Sequence, residues 1–150
     1  MTYRIKGLDP ARFADTAALI AGGAIRKMAE PSDSYPCRVT LADAEPGETV
    51  ILLNYLSADV DTPFRATHAI YIREGAKTAP VYDNAVPAYL DSRPLSLRGF
   101  GLDGMIHDAA VAEPGGADAG IRALLDRPEV SYVDVHHAAY GCFLARADRA

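Results

Sequence analysis

The chain has no run of lysine or arginine, and this absence argues against two classes of partner. Its 15 basic residues are scattered, with Arg26-Lys27 as the only adjacent pair, and are outnumbered by 20 acidic residues, which gives a formal net charge of −5. Nucleic-acid-binding proteins usually present a basic face, and anionic membranes attract clustered basic residues. We therefore expect no nucleic acid and no membrane surface as a partner.

Long apolar runs are also missing. No stretch approaches the roughly 18 residues that a membrane-spanning helix needs. The first residues, MTYRIKGLDPARFADT, lack the basic start and apolar run of a signal peptide. These absences predict a cytoplasmic protein. In such a compartment the only two cysteines, Cys37 and Cys142, are expected to be thiols rather than a disulfide.

Most of the common catalytic and cofactor-binding motifs are absent. The sequence contains no P-loop, HExxH, GxSxG or CxxC pattern. The segment GFGLDG at 99–104 has the glycine spacing of a dinucleotide-binding loop. It lies between two predicted strands, however, whereas such a loop joins a strand to a helix. We predict no cofactor.

What the chain does have is the length and pattern of one β-rich domain over residues 1–150. Its apolar content of 49% is ordinary for a globular protein. Alternation predicts seven or eight strands, and Asp103-Gly104 predicts a hairpin that pairs Leu95–Phe100 with Met105–Val111. Helices are expected after Asp9-Pro10 and near Asp118–Asp126. The expected class is α+β, a predominantly antiparallel sheet or partly closed barrel with about two helices.

The segment from Gly75 to Arg93 has two prolines, Pro80 and Pro87, with Pro94 directly after it, and few apolar pairs. Long irregular loops of this kind are often functional or mobile. We expect it to act as a lid over a binding site.

The pair Cys37-Arg38 is the first candidate for chemistry. A neighbouring guanidinium can activate a thiol, although consecutive strand residues point to opposite faces and a buried core cysteine is the alternative. Val39 and Leu41 share the parity of Cys37, and Leu144 shares that of Cys142. This parity predicts that both cysteine strands lie close together in one sheet and that both thiols enter one core.

The second candidate is the stretch from His136 to Cys142, in which His137, Tyr140 and Cys142 lie around a predicted turn. Gly141 is expected to adopt a positive φ there. Zinc needs three or four ligands. The two cysteines and one histidine could supply three of them only if the segments that contain Cys37 and Cys142 lie next to each other. Without paired-ligand spacing we predict no metal site. His68 and His107 are alternative general bases, or else partly exposed strand histidines.

These segments resemble a bacterial domain-of-unknown-function family, number 1203. The resemblance rests on Tyr35-Pro-Cys-Arg, Pro46-Gly-Glu, Thr62-Pro-Phe, Ile70-Tyr-Ile-Arg-Glu, the Asp103-Gly104 hairpin and Tyr140-Gly-Cys-Phe. It covers nearly the whole chain, and Cys37-Arg38 and Gly141-Cys142 are its most specific elements. The resemblance implies a compact bacterial domain and assigns no activity.

Two hypotheses about function follow. The first is a small-molecule-binding or enzymatic domain whose site is lined by Cys37, Arg38, His137, Tyr140 and Cys142. In it Arg38 clamps a small anionic ligand through a carboxylate or phosphate, so that Arg38→Ala removes the ligand with little loss of stability. The second is a non-catalytic interaction or structural domain, a homodimer formed through an exposed sheet edge. The sequence leaves open whether the protein is an enzyme.

Overall fold

A computed structural model describes all 150 residues and shows two sheets with three α-helices, which confirms the α+β class. The two sheets are mostly antiparallel, which confirms the first of the two expected arrangements, and they do not form a closed barrel. The six-stranded sheet is antiparallel throughout. Its strands in spatial order are β7 (Val81–Asp83), β1 (Tyr3–Lys6), β11 (Phe143–Arg149), β10 (Tyr132–His137), β8 (Leu95–Phe100) and β9 (Ile106–Ala112).

The five-stranded sheet contains the one parallel pair of the fold. In spatial order its strands are β2 (Ile25–Met28), β5 (Thr49–Ala58), β6 (Ala66–Arg73), β3 (Pro36–Cys37) and β4 (Ala42–Asp43). Strand β3 runs parallel to β6, with Cys37 opposite Tyr71. The other pairs are antiparallel.

The predicted hairpin is confirmed, because β8 and β9 pair from Leu95 with Ala112 to Phe100 with Ile106. Gly104 adopts a φ of 76° in the turn. The Asp103 carboxylate accepts a hydrogen bond from the Met105 N–H at 3.1 Å. The turn therefore forms for the reasons that the dipeptide suggested.

The helices cover only part of the sheets. Helix α3 (Ala117–Leu125) confirms the predicted C-terminal helix and packs on the six-stranded sheet. A 3-10 turn (Pro10–Phe13), capped by Asp9, precedes α1 (Thr16–Ala21), and α2 (Ala88–Asp91) is one turn long. None of the helices has the length and apolar content needed to cross a membrane.

The six-stranded sheet has two unlike faces. Along β10, Val133 and Val135 join Ile121 of α3 in the largest apolar core. The intervening side chains point the other way, toward the five-stranded sheet, since alternate strand residues face opposite sides. There His136 packs edge-to-face on His68, with ring centroids 4.8 Å apart. Polar groups are thus enclosed between the two sheets.

The strand expected over residues 37–41 ends at Cys37, because the chain turns at once. The Leu41 N–H donates to the Cys37 carbonyl at 3.0 Å, and Leu41 adopts a φ of 52°. We call residues 38–41 the Arg38 turn. The turn places Arg38 between the two sheets instead of on a strand face, and strand parity gives no guidance on that position.

The Gly75–Arg93 segment is not an irregular lid. It contains β7, which pairs with β1 at an edge of the six-stranded sheet, and α2, whose Tyr89 and Leu90 are buried. Only Arg93, at its end, reaches the cavity described below. The prolines made the segment look irregular, and the short elements in it were missed because residues distant in the sequence hold them in place.

Candidate functional site

Arg38 is the central residue of the candidate site. Its side chain is only 2% exposed. Nε donates to the Phe143 carbonyl at 2.7 Å, and Nη1 donates to the Pro36 carbonyl. One guanidinium therefore ties the five-stranded sheet to β11 of the six-stranded sheet.

No carboxylate forms an ion pair with this buried guanidinium, and Nη2 makes no hydrogen bond within the protein. Burial lowers the pKa of Arg38, whereas Tyr89, Cys142 and Cys37 oppose that shift. Arginine remains protonated in proteins because its reference pKa is so high. The fold therefore holds a buried positive charge without a negative partner.

The backbone around the Arg38 turn approaches β1 closely. The Leu8 N–H donates to the Arg38 carbonyl at 2.9 Å. A Cβ on Gly7 would lie 1.9 Å from the Val39 carbonyl oxygen, so only glycine fits there. This contact fixes the Arg38 turn against the second sheet.

The turn that joins β10 to β11 carries the other candidate residues. Four successive backbone carbonyls at the end of this turn all accept hydrogen bonds. Gly141 O accepts from His136 Nδ1 at 2.9 Å, and Cys142 O accepts from the His137 N–H at 2.9 Å. Phe143 O accepts from Arg38, and Leu144 O accepts from the Tyr89 hydroxyl at 2.6 Å. Gly141 has the expected positive φ, 77°. The position of Cys142 is therefore tightly determined.

A cavity of about 280 Å³ opens beside Arg38. Four of the five predicted site residues line it, namely Arg38, His137, Tyr140 and Cys142. We call it the Arg38 cavity. Its other lining residues come from five further segments: Asp33, Ser34, Pro36, Leu52, Ala69, Tyr71, Arg93 and Leu144. The structure thus brings the Arg38 turn and the β10–β11 turn together.

Cys37 is the predicted site residue that the structure keeps out of the cavity. It is fully buried in a small core with Val39, Ile70 and Ile72. Its sulfur accepts from the Arg73 N–H at 3.2 Å. Cys142 is half-buried at the start of the other sheet. The expectation that both cysteines share one sheet and one core was wrong, because the Arg38 turn separates them.

His137 is held as a neutral hydrogen-bond donor. Its Nδ1 accepts from the N–H groups of Ala139 and Tyr140, both at 3.2 Å. An Nδ1 that accepts carries no proton, so the proton of the neutral ring lies on Nε2. Burial lowers the pKa of His137, and the charges of Arg93 and Arg38 lower it further. His137 therefore offers an N–H group and is unsuited to act as a base.

Tyr140 lies on the rim. It is 85% exposed, and its ring packs against that of His137 with centroids 5.1 Å apart. A side chain so exposed can close over a bound molecule but contributes little to the stability of the fold.

Arg93, Ser34 and Tyr71 are cavity residues that the sequence did not single out. Arg93 Nη2 contacts both oxygens of Asp43, the nearer at 2.9 Å, and the Ser34 hydroxyl also donates to Asp43, at 3.1 Å. Arg93 is therefore neutralised, unlike Arg38. Its only sequence signal was a basic residue at the end of the presumed lid.

Two other groups of polar side chains form hydrogen bonds or ion pairs among themselves. Ser57 Oγ lies 2.6 Å from His68 Nδ1, between the sheets. A second cavity, of about 260 Å³, includes Ser57 and Arg146, but Arg146 forms a bidentate pair with the buried Asp134. No group of three or more histidine, cysteine or acidic side chains could hold a metal ion. The remaining histidine candidate, His107, pairs with Asp103 on the surface.

The chain belongs to the DUF1203 family of proteins of unknown function, whose model matches residues 34–149. Every candidate site residue lies within this range. No curated protein and no solved structure matches the chain.

Proposed function

We propose that the protein binds a small anion, a carboxylate or phosphate group, in the Arg38 cavity. The observation that carries this proposal is the buried guanidinium of Arg38, which lines the cavity, has no carboxylate partner and has an Nη2 without a hydrogen bond in the protein. Buried charges in proteins are normally paired. A ligand anion supplies the missing partner.

The surrounding groups support an anionic ligand. His137 also lines the cavity and has an Nε2–H donor, and Arg93 adds a positive charge that Asp43 already balances. Asp33, the only acidic residue lining the cavity, accepts from the Ser34 N–H at 3.1 Å. The formal charges of Arg38, Arg93, Asp43 and Asp33 sum to zero, but Arg38 forms no ion pair with either carboxylate. Its guanidinium is therefore the positive charge without a direct partner, which suits a ligand with one negative group.

Calorimetric titration with acetate and with inorganic phosphate tests the proposal. Binding of either probe at one site per chain is expected, weakened by salt because the attraction is electrostatic. Arg93→Gln should weaken binding about tenfold, since it leaves Asp43 unbalanced beside the cavity. Arg26→Gln is the matched control, because Arg26 pairs with Glu74 outside the cavity.

Equal affinity in Arg93→Gln and wild type would contradict binding in the Arg38 cavity. Failure of both acetate and phosphate to bind at millimolar concentration would contradict an anion site altogether.

A further inference from the structure

Cys142 is the one thiol at the wall of the Arg38 cavity, and the mere binding of an anion leaves it without a role. A cysteine alone does not define a site. Here a second group points to a ligand independently, because Arg38 is 2% exposed and its Nη2 has no partner in the protein. Both groups border the same cavity.

We propose that Cys142 forms a reversible covalent bond with a small 2-oxo carboxylate held in the Arg38 cavity. The inference rests on the proposed function, since Arg38 must first bind the carboxylate. It adds a nucleophile and a substrate class to that site.

Three residues that line the cavity have the chemistry for three parts of such a molecule. In the proposed complex Arg38 Nη2 donates to the carboxylate, the Cys142 sulfur attacks the adjacent carbonyl carbon, and the Nε2–H of His137 donates to the carbonyl oxygen. A donor placed where negative charge develops is the usual device for stabilising an addition of this kind. The neutral tautomer of His137 matters because only Nε2 carries the proton.

The step is balanced without an oxidant or a leaving group. The thiol gives its proton to solvent at the cavity mouth, and the sulfur electron pair forms a bond to the carbonyl carbon. The π electrons of the carbonyl move to its oxygen, which accepts a hydrogen bond from His137 and takes a proton from solvent. The product is a hemithioacetal, and reversal regenerates both reactants.

The nucleophile is held rigidly. The carbonyl of Cys142 and those of its three neighbours are all hydrogen-bonded, to His137, His136, Arg38 and Tyr89. Preorganised geometry of this kind favours reaction with a bound partner, because little further ordering is needed. Cys37, buried at 0% exposure, provides an unreactive thiol in the same molecule.

The first experiment compares pyruvate with acetate by calorimetric titration of wild type and Cys142→Ala. Acetate has the carboxylate but no electrophilic carbon. Cys142→Ala should weaken pyruvate binding at least about fivefold and leave acetate binding unchanged. If both probes bind Cys142→Ala as well as wild type, the covalent step is overturned while the anion site stands. If neither probe binds wild type, the proposed function fails with it.

The second experiment measures alkylation of Cys142 by iodoacetate and by neutral iodoacetamide, using mass spectrometry of the Cys142 peptide. In each case a C–S bond forms and iodide leaves. The ratio of the two rates should be about tenfold or more higher in the native protein than in urea, because the unpaired guanidinium of Arg38 attracts the anionic reagent. Cys37 should remain unmodified in the native protein.

Variants test whether the charge in the Arg38 cavity causes the higher ratio of the two alkylation rates. Arg93→Gln should lower the native ratio at least about threefold and Arg26→Gln should not. Arg26 is 53% exposed but Arg93 only 14%, so urea denaturation of Arg93→Gln first shows that the variant folds. A native ratio equal to that in urea, or a Cys142 that reacts with neither reagent, would overturn the proposal.

Discussion

At the scale of single residues, Arg38 has two roles that the sequence could not separate. The sequence predicts an anion clamp whose removal leaves stability nearly unchanged. The structure adds two buried carbonyls that depend on the same guanidinium, those of Phe143 and Pro36. An unsatisfied buried acceptor costs about 1–3 kcal/mol.

Arg38→Met should therefore lower the free energy of unfolding by about 2 kcal/mol or more, as well as abolish anion binding. Urea denaturation with and without acetate measures both effects. Arg38→Met with wild-type stability would show that the two carbonyls find other donors.

Cys37 presents the opposite case, a core residue without a role in binding. Its sulfur fills the core between Val39 and Ile72 and accepts backbone hydrogen bonds from Thr40 and Arg73. Cys37→Ala should cost about 1–2 kcal/mol in the free energy of unfolding. Affinity for acetate should be unchanged. A loss of binding at full stability would instead place Cys37 in the site.

At the scale of elements, the β10–β11 turn positions both His137 and Cys142, and Gly141 is the residue that permits its shape. Its φ of 77° lies where a side chain is strained. Gly141→Ala should destabilise the protein by about 1 kcal/mol and weaken acetate binding through displaced donors.

Gly115→Ala is the matched control for this prediction. Gly115 has a φ of 86°, and a Cβ added there would meet no other atom within 4 Å, as at Gly141, but it precedes α3 outside the cavity. It should show a similar loss of stability with wild-type affinity for acetate. Equal affinities in the two variants would mean that the turn does not position the site.

The elements also show what sequence could and could not predict. The β8–β9 hairpin and α3 depend on contacts between near neighbours, such as Asp103 with Met105, and local patterns predicted them. The parallel contact of β3 with β6 joins Cys37 to Tyr71, and no local signal encodes it. Arg38, His137, Tyr140 and Cys142 were found from residue chemistry alone. Arg93 was missed as a cavity residue because its segment appeared irregular.

At the scale of the whole molecule, neutral histidines between the two sheets predict sensitivity to acid. His136 is 2% exposed, and its Nδ1 donates to the Gly141 carbonyl. Burial, with the charges of Arg98, His68 and Arg38, lowers its pKa to about 3. Burial also lowers the pKa of His68.

The direction of this pH dependence follows from comparing His136 in the folded and unfolded states. An unfolded histidine has a pKa of about 6.5, so between pH 6.5 and about 3 the unfolded chain binds a proton that native His136 does not. Stability from this group is complete above pH 6.5 and is lost as the pH falls. The loss is about 1.4 kcal/mol per pH unit while only the unfolded state is protonated.

Two carboxyl groups oppose this trend, the buried Asp134 and the more exposed Asp148. Burial raises the pKa of Asp134 and of Asp148, so the native state takes up protons there first and gains relative stability in acid. The measured change of the free energy of unfolding with pH is therefore a sum of contributions of opposite sign. A difference between variants therefore isolates the histidine contribution.

His136→Asn keeps an N–H donor for the Gly141 carbonyl and removes the titrating ring. Its free energy of unfolding, measured in urea between pH 7 and pH 4, should fall less steeply than that of wild type by about 1 kcal/mol per pH unit. In wild type the His136 ring resonances should not titrate above pH 4, since the surrounding arginines and the closed interface exclude the charged form. A midpoint near 6.5 for those resonances would mean that the two sheets open readily enough to hydrate His136, and the tightly held β10–β11 turn would then be mobile as well.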